Sequence, residues 1–179
     1  EMLLNSRRVR DIELFGYSHL FDAATQTQFS AVTFRPSKNK LYVFFRGTDS
    51  TLVGWKEDFN MCFVCPVPAQ SNAVDYLNRI AASNGGDITV GGHSKGGNLA
   101  VYASAFCEQA ARRRITHIYN YDGPGFTEDV LNSDSYKSIC VLVNTFVPQS
   151  SVVGMLLGHE EKYTIIHSTE SGIMQHDIY

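Results

Sequence analysis

Residues 88 to 100 read Ile88-Thr89-Val90-Gly91-Gly92-His93-Ser94-Lys95-Gly96-Gly97-Asn98-Leu99-Ala100. Three β-branched or apolar residues run into glycines and then into good helix formers, so the segment predicts a strand, a sharp turn and a helix. Its Gly92-x-Ser94-x-Gly96 spacing is that of a nucleophile elbow. The serine of such an elbow sits on a turn so tight that strand and helix nearly touch, and glycine on either side leaves the room this needs. The five-residue pattern is common by chance; a strand before it and a helix after it are the context that gives it meaning. Without that context it reads as a glycine-rich turn with a structural serine.

Outward from the elbow, the chain alternates strand and helix. Phe29 to Phe34 and Leu41 to Phe45 predict two strands joined by the turn signal Pro36-Ser37-Lys38-Asn39. The second is apolar on both faces, which predicts a central strand covered by helices on either side. It runs into the polar loop Arg46-Gly47-Thr48-Asp49-Ser50-Thr51. A short helix is predicted around Trp55 to Met61 and another over Ala73 to Ala82, stopped by Asn84-Gly85-Gly86. The elbow helix is predicted over about 95 to 113, and the strand Ile115 to Tyr121 leads to the loop Asp122-Gly123-Pro124-Gly125-Phe126. A helix over Glu128 to Asp134 and strands over Cys140 to Val147 and Tyr163 to His167 complete the reading. This is an α/β protein with a mainly parallel sheet and helices on both faces, the α/β-hydrolase arrangement.

The chain has 179 residues, of which 44% are hydrophobic, enough for one domain spanning 1–179 with a sizeable core. A net charge of -3 offers no broad basic field for a phosphate backbone, which argues against nucleic acid as a partner. The basic run Arg112-Arg113-Arg114 is read as ending the elbow helix, where cations complement the helix dipole. No run of 18 apolar residues and no signal-peptide hydrophobic region is present, so a soluble protein without stable membrane insertion is expected. Cys62, Cys65, Cys107 and Cys140 lie in strand or helix surroundings of a domain large enough to need no staples. Reduced thiols and a cytoplasmic setting follow. Cys62-Phe63-Val64-Cys65 has redox spacing but opens no helix after a strand, and no second Cys/His cluster supports a metal.

A serine hydroxyl needs a histidine to take its proton, an acid to orient that histidine, and donors for the oxyanion. Asp122 ends the strand that follows the elbow helix, which puts it at the same sheet edge as Ser94; the other reading is an Asp-Gly turn that caps itself. Asp49, Asp58 and Asp134 are weaker candidates. The chain order serine, acid, histidine leaves His159, His167 and His176 for the base. His176 is chosen because it lies in a loop after the last strand. His167 is read as packed in a strand and His159 as exposed beside Glu160-Glu161. His93 is read as a buried structural residue and His117 as core. For the oxyanion hole, the Lys95 backbone N-H is one donor and Thr48 supplies the other by its N-H and hydroxyl; losing one such donor typically costs about 2.7–4 kcal/mol. Arg46 is read either as a charged substrate clamp or, by preference, as a buried partner of Asp58 that braces the loop. Val152 to Leu157 is either a short apolar flap or core packing.

Tyr42 to Thr48, Gly54-Trp55-Lys56-Glu57-Asp58 and the elbow together resemble the fungal-type class 3 lipases. The resemblance implies Thr48 in the oxyanion hole. In that family the acid follows the next strand near a Val-Pro pair. Here that region, Asn144 to Ser151, has no carboxylate, and Asp122-Gly123-Pro124-Gly125-Phe126 instead resembles the acid loop of pancreatic-type lipases. The whole pattern, including Gln175-His176-Asp177, is similar to a bacterial family of lipase-like α/β-hydrolases. Its members are commonly longer, which leaves open that these residues are a fragment. Lys95 stands where such lipases usually carry leucine, and a cation at the mouth of the site predicts a short or anionic acyl substrate.

The sequence thus points to a serine hydrolase of carboxylic esters using Ser94, Asp122 and His176, without cofactor, on a small acyl ester or lipid. Its rivals are a non-catalytic binding module on the same fold and an acyltransferase or thioesterase.

Overall fold

The protein is described by a computed structural model that places residues 6, 7, 9–48, 54, 56, 57, 60, 61 and 63–176. In chain order the elements are β1 (Glu13–Asp22), β2 (Thr27–Ser37), β3 (Lys40–Phe45), α1 (Pro68–Ser83), β4 (Asp87–His93), α2 (Lys95–Phe106), α3 (Gln109–Arg112), β5 (Ile115–Tyr121), α4 (Glu128–Leu131), α5 (Asp134–Ile139), β6 (Val143–Pro148) and β7 (Tyr163–Ile166). They form a seven-stranded sheet in the order β1-β2-β3-β4-β5-β6-β7. The first three strands pair antiparallel and the rest parallel. The fold is an open, mostly parallel sheet with helices, as the sequence predicts.

Strand order decides where those helices lie. Right-handed crossovers between parallel strands that advance without reversal all fall on one face. Ala31, Val43, Phe45, Val90, Ile118, Val143 and Val147 line that face and are buried. There α1 packs on α2 and on β2, and α2 packs on β3, β4 and β5. On the opposite face Tyr42, Phe44, Tyr119 and Phe146 stay half-buried and Tyr121 exposed. Tyr119, Tyr121 and Phe146 stack on one another with ring centroids 5.6 to 6.5 Å apart. Among the described residues, cover by helices is therefore confined to one face; the second apolar face of β3 meets aromatic neighbours rather than a helix.

Several boundaries differ from expectation for local reasons. The strand β1 lies along the sheet edge with an irregular burial pattern, so it carries no period-2 signal. The elbow helix ends at Phe106, where Cys107 turns extended; Arg112 belongs to the separate α3 and donates to the Cys107 carbonyl at 3.0 Å. The helix expected over Glu128 to Asp134 is two, because Ser133 accepts from Tyr136 N and starts α5 afresh. A 3-10 turn over Cys140–Leu142 delays β6 to Val143. Of the helix expected around Trp55, Gly54, Lys56, Glu57 and Asn60 are helical, whereas Trp55 and Asp58 lie outside the described residues.

Candidate active site

Ser94 joins β4 to α2 with φ 56° and ψ -130°, a left-handed backbone that a side-chain-bearing residue adopts only under constraint. The constraint is close packing. A Cβ on Gly92 would overlap the Gly96 carbonyl, and one on Gly96 would overlap the carbonyl of Phe45 at the end of β3. Ser94 N donates to Tyr121 O at 2.9 Å, which locks the turn to β5.

That bond also brings in the acid. Asp122 follows β5 directly, has φ 53°, and donates its N-H to Phe146 O at 2.9 Å. Asn120 braces the turn after it, accepting from Gly123 N at 3.0 Å. Farther along, Asn98 of α2 donates to the Pro124 and Gly125 carbonyls and is itself bonded by Gln70 of α1. The loop bearing Asp122 is thereby tied to the elbow helix.

His176 ends a 3-10 turn over Gly172–His176. Its Nε2 is 2.8 Å from Ser94 Oγ and its Nδ1 is 2.6 Å from Asp122 Oδ2. Asp122 is 4% exposed, so its carboxylate meets protein donors rather than bulk water. The loop holding His176 is clamped to the loop after β6 by Gln149, which exchanges two bonds with Ser168, and by Gln175, which accepts from Ser150 N at 2.9 Å. Ser94, Asp122 and His176, chosen from sequence, meet in one hydrogen-bonded line. Ser151, which no sequence motif marks, joins them: its hydroxyl contacts Asp122 Oδ1.

Beside Ser94, Gly47 lets the loop after β3 run against the strand-to-helix turn; a Cβ there would lie 2.8 Å from His93 O and 3.4 Å from Ser94 Cβ. Thr48 follows it and is half-buried. Lys95 begins α2, so its N-H belongs to the helix N-terminus. Its side chain corrects the sequence reading. It is 1% exposed, and Nζ donates to Gln28 O at 2.9 Å, to Gln28 Oε1 at 2.7 Å and to Glu57 Oε2 at 3.0 Å. The cation lies in the core, away from any mouth of the site. Glu57 stands in the segment singled out for Asp58, and its other oxygen accepts from Ala69 N. Arg46 is exposed rather than buried, and Asp58, the partner expected of it, lies outside the described residues.

Four histidines also sit differently than expected. His93 is half-buried and lies against His176, with ring centroids 4.7 Å apart. His117 is exposed and stacks on Tyr119, because its strand face is the uncovered one. His159 is tucked in at 10% side-chain exposure, 3.0 Å from Glu161. His167 is exposed.

A groove of about 580 Å³ is lined by apolar Phe44, Tyr121, Phe146, Pro148 and Ile166 together with His93, Asp122 and His176. Beyond β6, Val152, Met155 and Leu156 are exposed around the buried Gly154, so this segment lies at the surface rather than in the core. It is pinned to the acid loop by Gly125 N to Leu156 O at 2.9 Å and by the Phe126–Gly158 bridge.

A family model described as Mbeg1-like matches residues 3–179. No curated protein matches the chain. Among solved structures it is similar to the lipase of Rhizomucor miehei in a propeptide complex, with a TM-score of 0.64 and 17% identity over 88% of this chain and 56% of that one. A fungal lipase–inhibitor complex aligns with a TM-score of 0.58 and 16% identity over 80% of this chain and 60% of that one. A triacylglycerol lipase from Penicillium expansum aligns at 0.56 and 12% over 88% of this chain and 70% of that one. The chain spans less than two thirds of the length of the first two. At these identities the likeness is one of fold.

Proposed function

We infer that this chain, which belongs to the Mbeg1-like family, is a serine hydrolase acting on carboxylic esters of lipid-like acyl groups. The observation that carries the reading is the continuous line from Ser94 Oγ through His176 to Asp122, at 2.8 and 2.6 Å. With Asp122 ionised, His176 donates from Nδ1 and presents a bare Nε2 to the Ser94 hydroxyl. As Ser94 attacks the acyl carbon, its proton passes to Nε2, and Asp122 stabilises the imidazolium without taking the proton itself. Thr48 and the Lys95 amide hold the oxyanion. The tetrahedral intermediate collapses to an acyl-Ser94 ester while His176 returns the proton to the leaving alcohol. Water then attacks the acyl carbon as His176 takes its proton, and the acid leaves as His176 returns that proton to Ser94 Oγ. Nucleophile, proton and oxyanion are all served by protein groups, so the scheme calls for no cofactor.

The acyl class follows from the apolar side chains lining the groove beside His176 and is in keeping with the lipases whose fold the chain shares. No described helix is long and apolar enough to cross a membrane. The free thiols of Cys65, Cys107 and Cys140 fit the reducing, cytoplasmic setting we assign.

A fluorophosphonate modifies an activated serine and spares an ordinary one. We expect rapid labelling of Ser94, mapped by mass spectrometry, abolished in Ser94→Ala and slowed by about 10⁴ in Asp122→Asn, the cost of the wrong histidine tautomer. Absence of labelling on folded protein would overturn the reading in favour of a binding module.

A further inference from the structure

We propose that Ser151 is a positioning residue for Asp122, its hydroxyl fixing the carboxylate so that Oδ2 faces His176; this rests on the roles given above to Ser94, His176 and Asp122. Ser151 lies in no sequence motif, and its role follows from geometry. The Asp122 backbone is pinned through Phe146 O, yet its carboxylate has two side-chain torsions still to fix. One oxygen bonds His176 Nδ1, and the other is met by Ser151 Oγ. The direction of the Ser151 proton is also set. Gly154 N donates to Ser151 Oγ at 2.9 Å, so the hydroxyl accepts from the amide and turns its own proton onto Asp122. Gly154 is required for this approach, since a Cβ there would overlap Asp122 Oδ1.

Ser151 is itself anchored. Its N-H donates to Pro148 O at 3.1 Å, and the preceding Ser150 N-H is held by Gln175, the neighbour of His176. One loop after β6 therefore grips the far oxygen of the acid and the residue beside the base. Because Asp122 is 4% exposed, water does not readily replace a lost hydroxyl, and the freed oxygen is left to seek a partner by rotating away from His176.

The test compares wild type, Ser151→Ala and Ser151→Thr by two readouts. The first is the proton NMR signal of His176 Nδ1-H, which bonding to a carboxylate carries far downfield and which Asp122→Asn identifies by removing it. The second is the rate of fluorophosphonate labelling at Ser94. We expect Ser151→Ala to displace or broaden the signal and to slow labelling about tenfold, in line with loss of one charge-assisted bond, and Ser151→Thr to restore both. A melting temperature lowered in Ser151→Ala with signal and rate unmoved would overturn the proposal, since a merely structural serine behaves so. Should Ser151→Ala fail to fold, Ser151→Cys, a weaker donor of similar shape, must move the signal in the same direction by less. If wild-type Ser94 resists the probe, the hydrolase reading falls, while the imidazole signal still decides whether Ser151 orients Asp122.

Discussion

The Lys95 ammonium lies 3.0 Å from the Glu57 carboxylate, and both side chains are 1% exposed. An ion pair this deep is costly to break from one side, because the remaining charge has no water to return to. Glu57→Gln leaves Lys95 charged against neutral acceptors and is expected to cost about 3–5 kcal/mol in urea denaturation. Lys95→Met is expected to cost less. Glu57 then keeps the amides of Gln28 at 3.0 Å and Ala69 at 3.0 Å as donors to its charge. Because the Lys95 side chain points into the core, Lys95→Met is also expected to leave acyl-chain preference unchanged across a panel of esters. A preference shifted toward longer chains would contradict this and revive a cation at the mouth of the site.

Two glycines close in sequence to helix ends make a sharp contrast. Gly96→Ala pushes a Cβ into the Phe45 carbonyl, backbone against backbone, with no flexible side chain to yield. It is expected to cost about 3 kcal/mol or more and to abolish Ser94 labelling. At Gly85 a Cβ meets nothing within 4 Å. Gly85→Ala should gain up to about 1 kcal/mol by restricting the unfolded chain. Equal melting temperatures for the two variants would refute the elbow packing.

The elbow was legible because a tight turn leaves a local signature, Gly92-x-Ser94-x-Gly96 between a strand and a helix. Asp122 and His176 were legible because strand order fixes which loops share an edge, and the structure brings both to Ser94. Burial was not legible where it depends on distant partners. Lys95 reads as a cation at the mouth of the site because Gln28 and Glu57, which bury it, lie 67 and 38 residues away in sequence. His117 reads as core from its place in an alternating strand, yet an unreversed strand order leaves its sheet face open. Ser151 carried no signal, since a hydroxyl after an apolar strand is ordinary until the fold sets it against Asp122.

Asn120 is buried in the strand before the acid, accepting from Gly123 N at 3.0 Å and donating to Gly123 O. Both contacts brace the turn in which Asp122 takes positive φ. Asn120→Ala strips the Gly123 amide of its partner and leaves a void against α2, so stability should fall by about 2 kcal/mol. Labelling of Ser94 in the folded fraction should slow about tenfold as Asp122 loses its register with His176. Wild-type labelling in a destabilised Asn120→Ala would show that Phe146 O and Ser151 hold the acid without it.

Glu161 makes the stability of the fold depend on pH. Burial pushes its carboxyl up, but bonds from His159 at 3.0 Å, Tyr136 at 2.6 Å and Thr145 at 2.7 Å, together with the His159 charge, outweigh burial and bring it down to about 2. Its ordinary value is 4.5. A group depressed in the folded state stabilises fully above its unfolded value and loses that contribution as pH falls through the folded one. At 1.36 kcal/mol per unit, roughly 3 kcal/mol should therefore disappear between pH 4.5 and 2. Urea denaturation at pH 7, 4.5 and 3 should show the decline in wild type. Glu161→Gln, already weaker at pH 7, should show a flatter profile, because no carboxylate is left there to protonate. Parallel profiles would mean that Glu161 meets its three donors as weakly in the folded chain as in the unfolded one, which bonds of 2.6 to 3.0 Å at a buried carboxylate argue against.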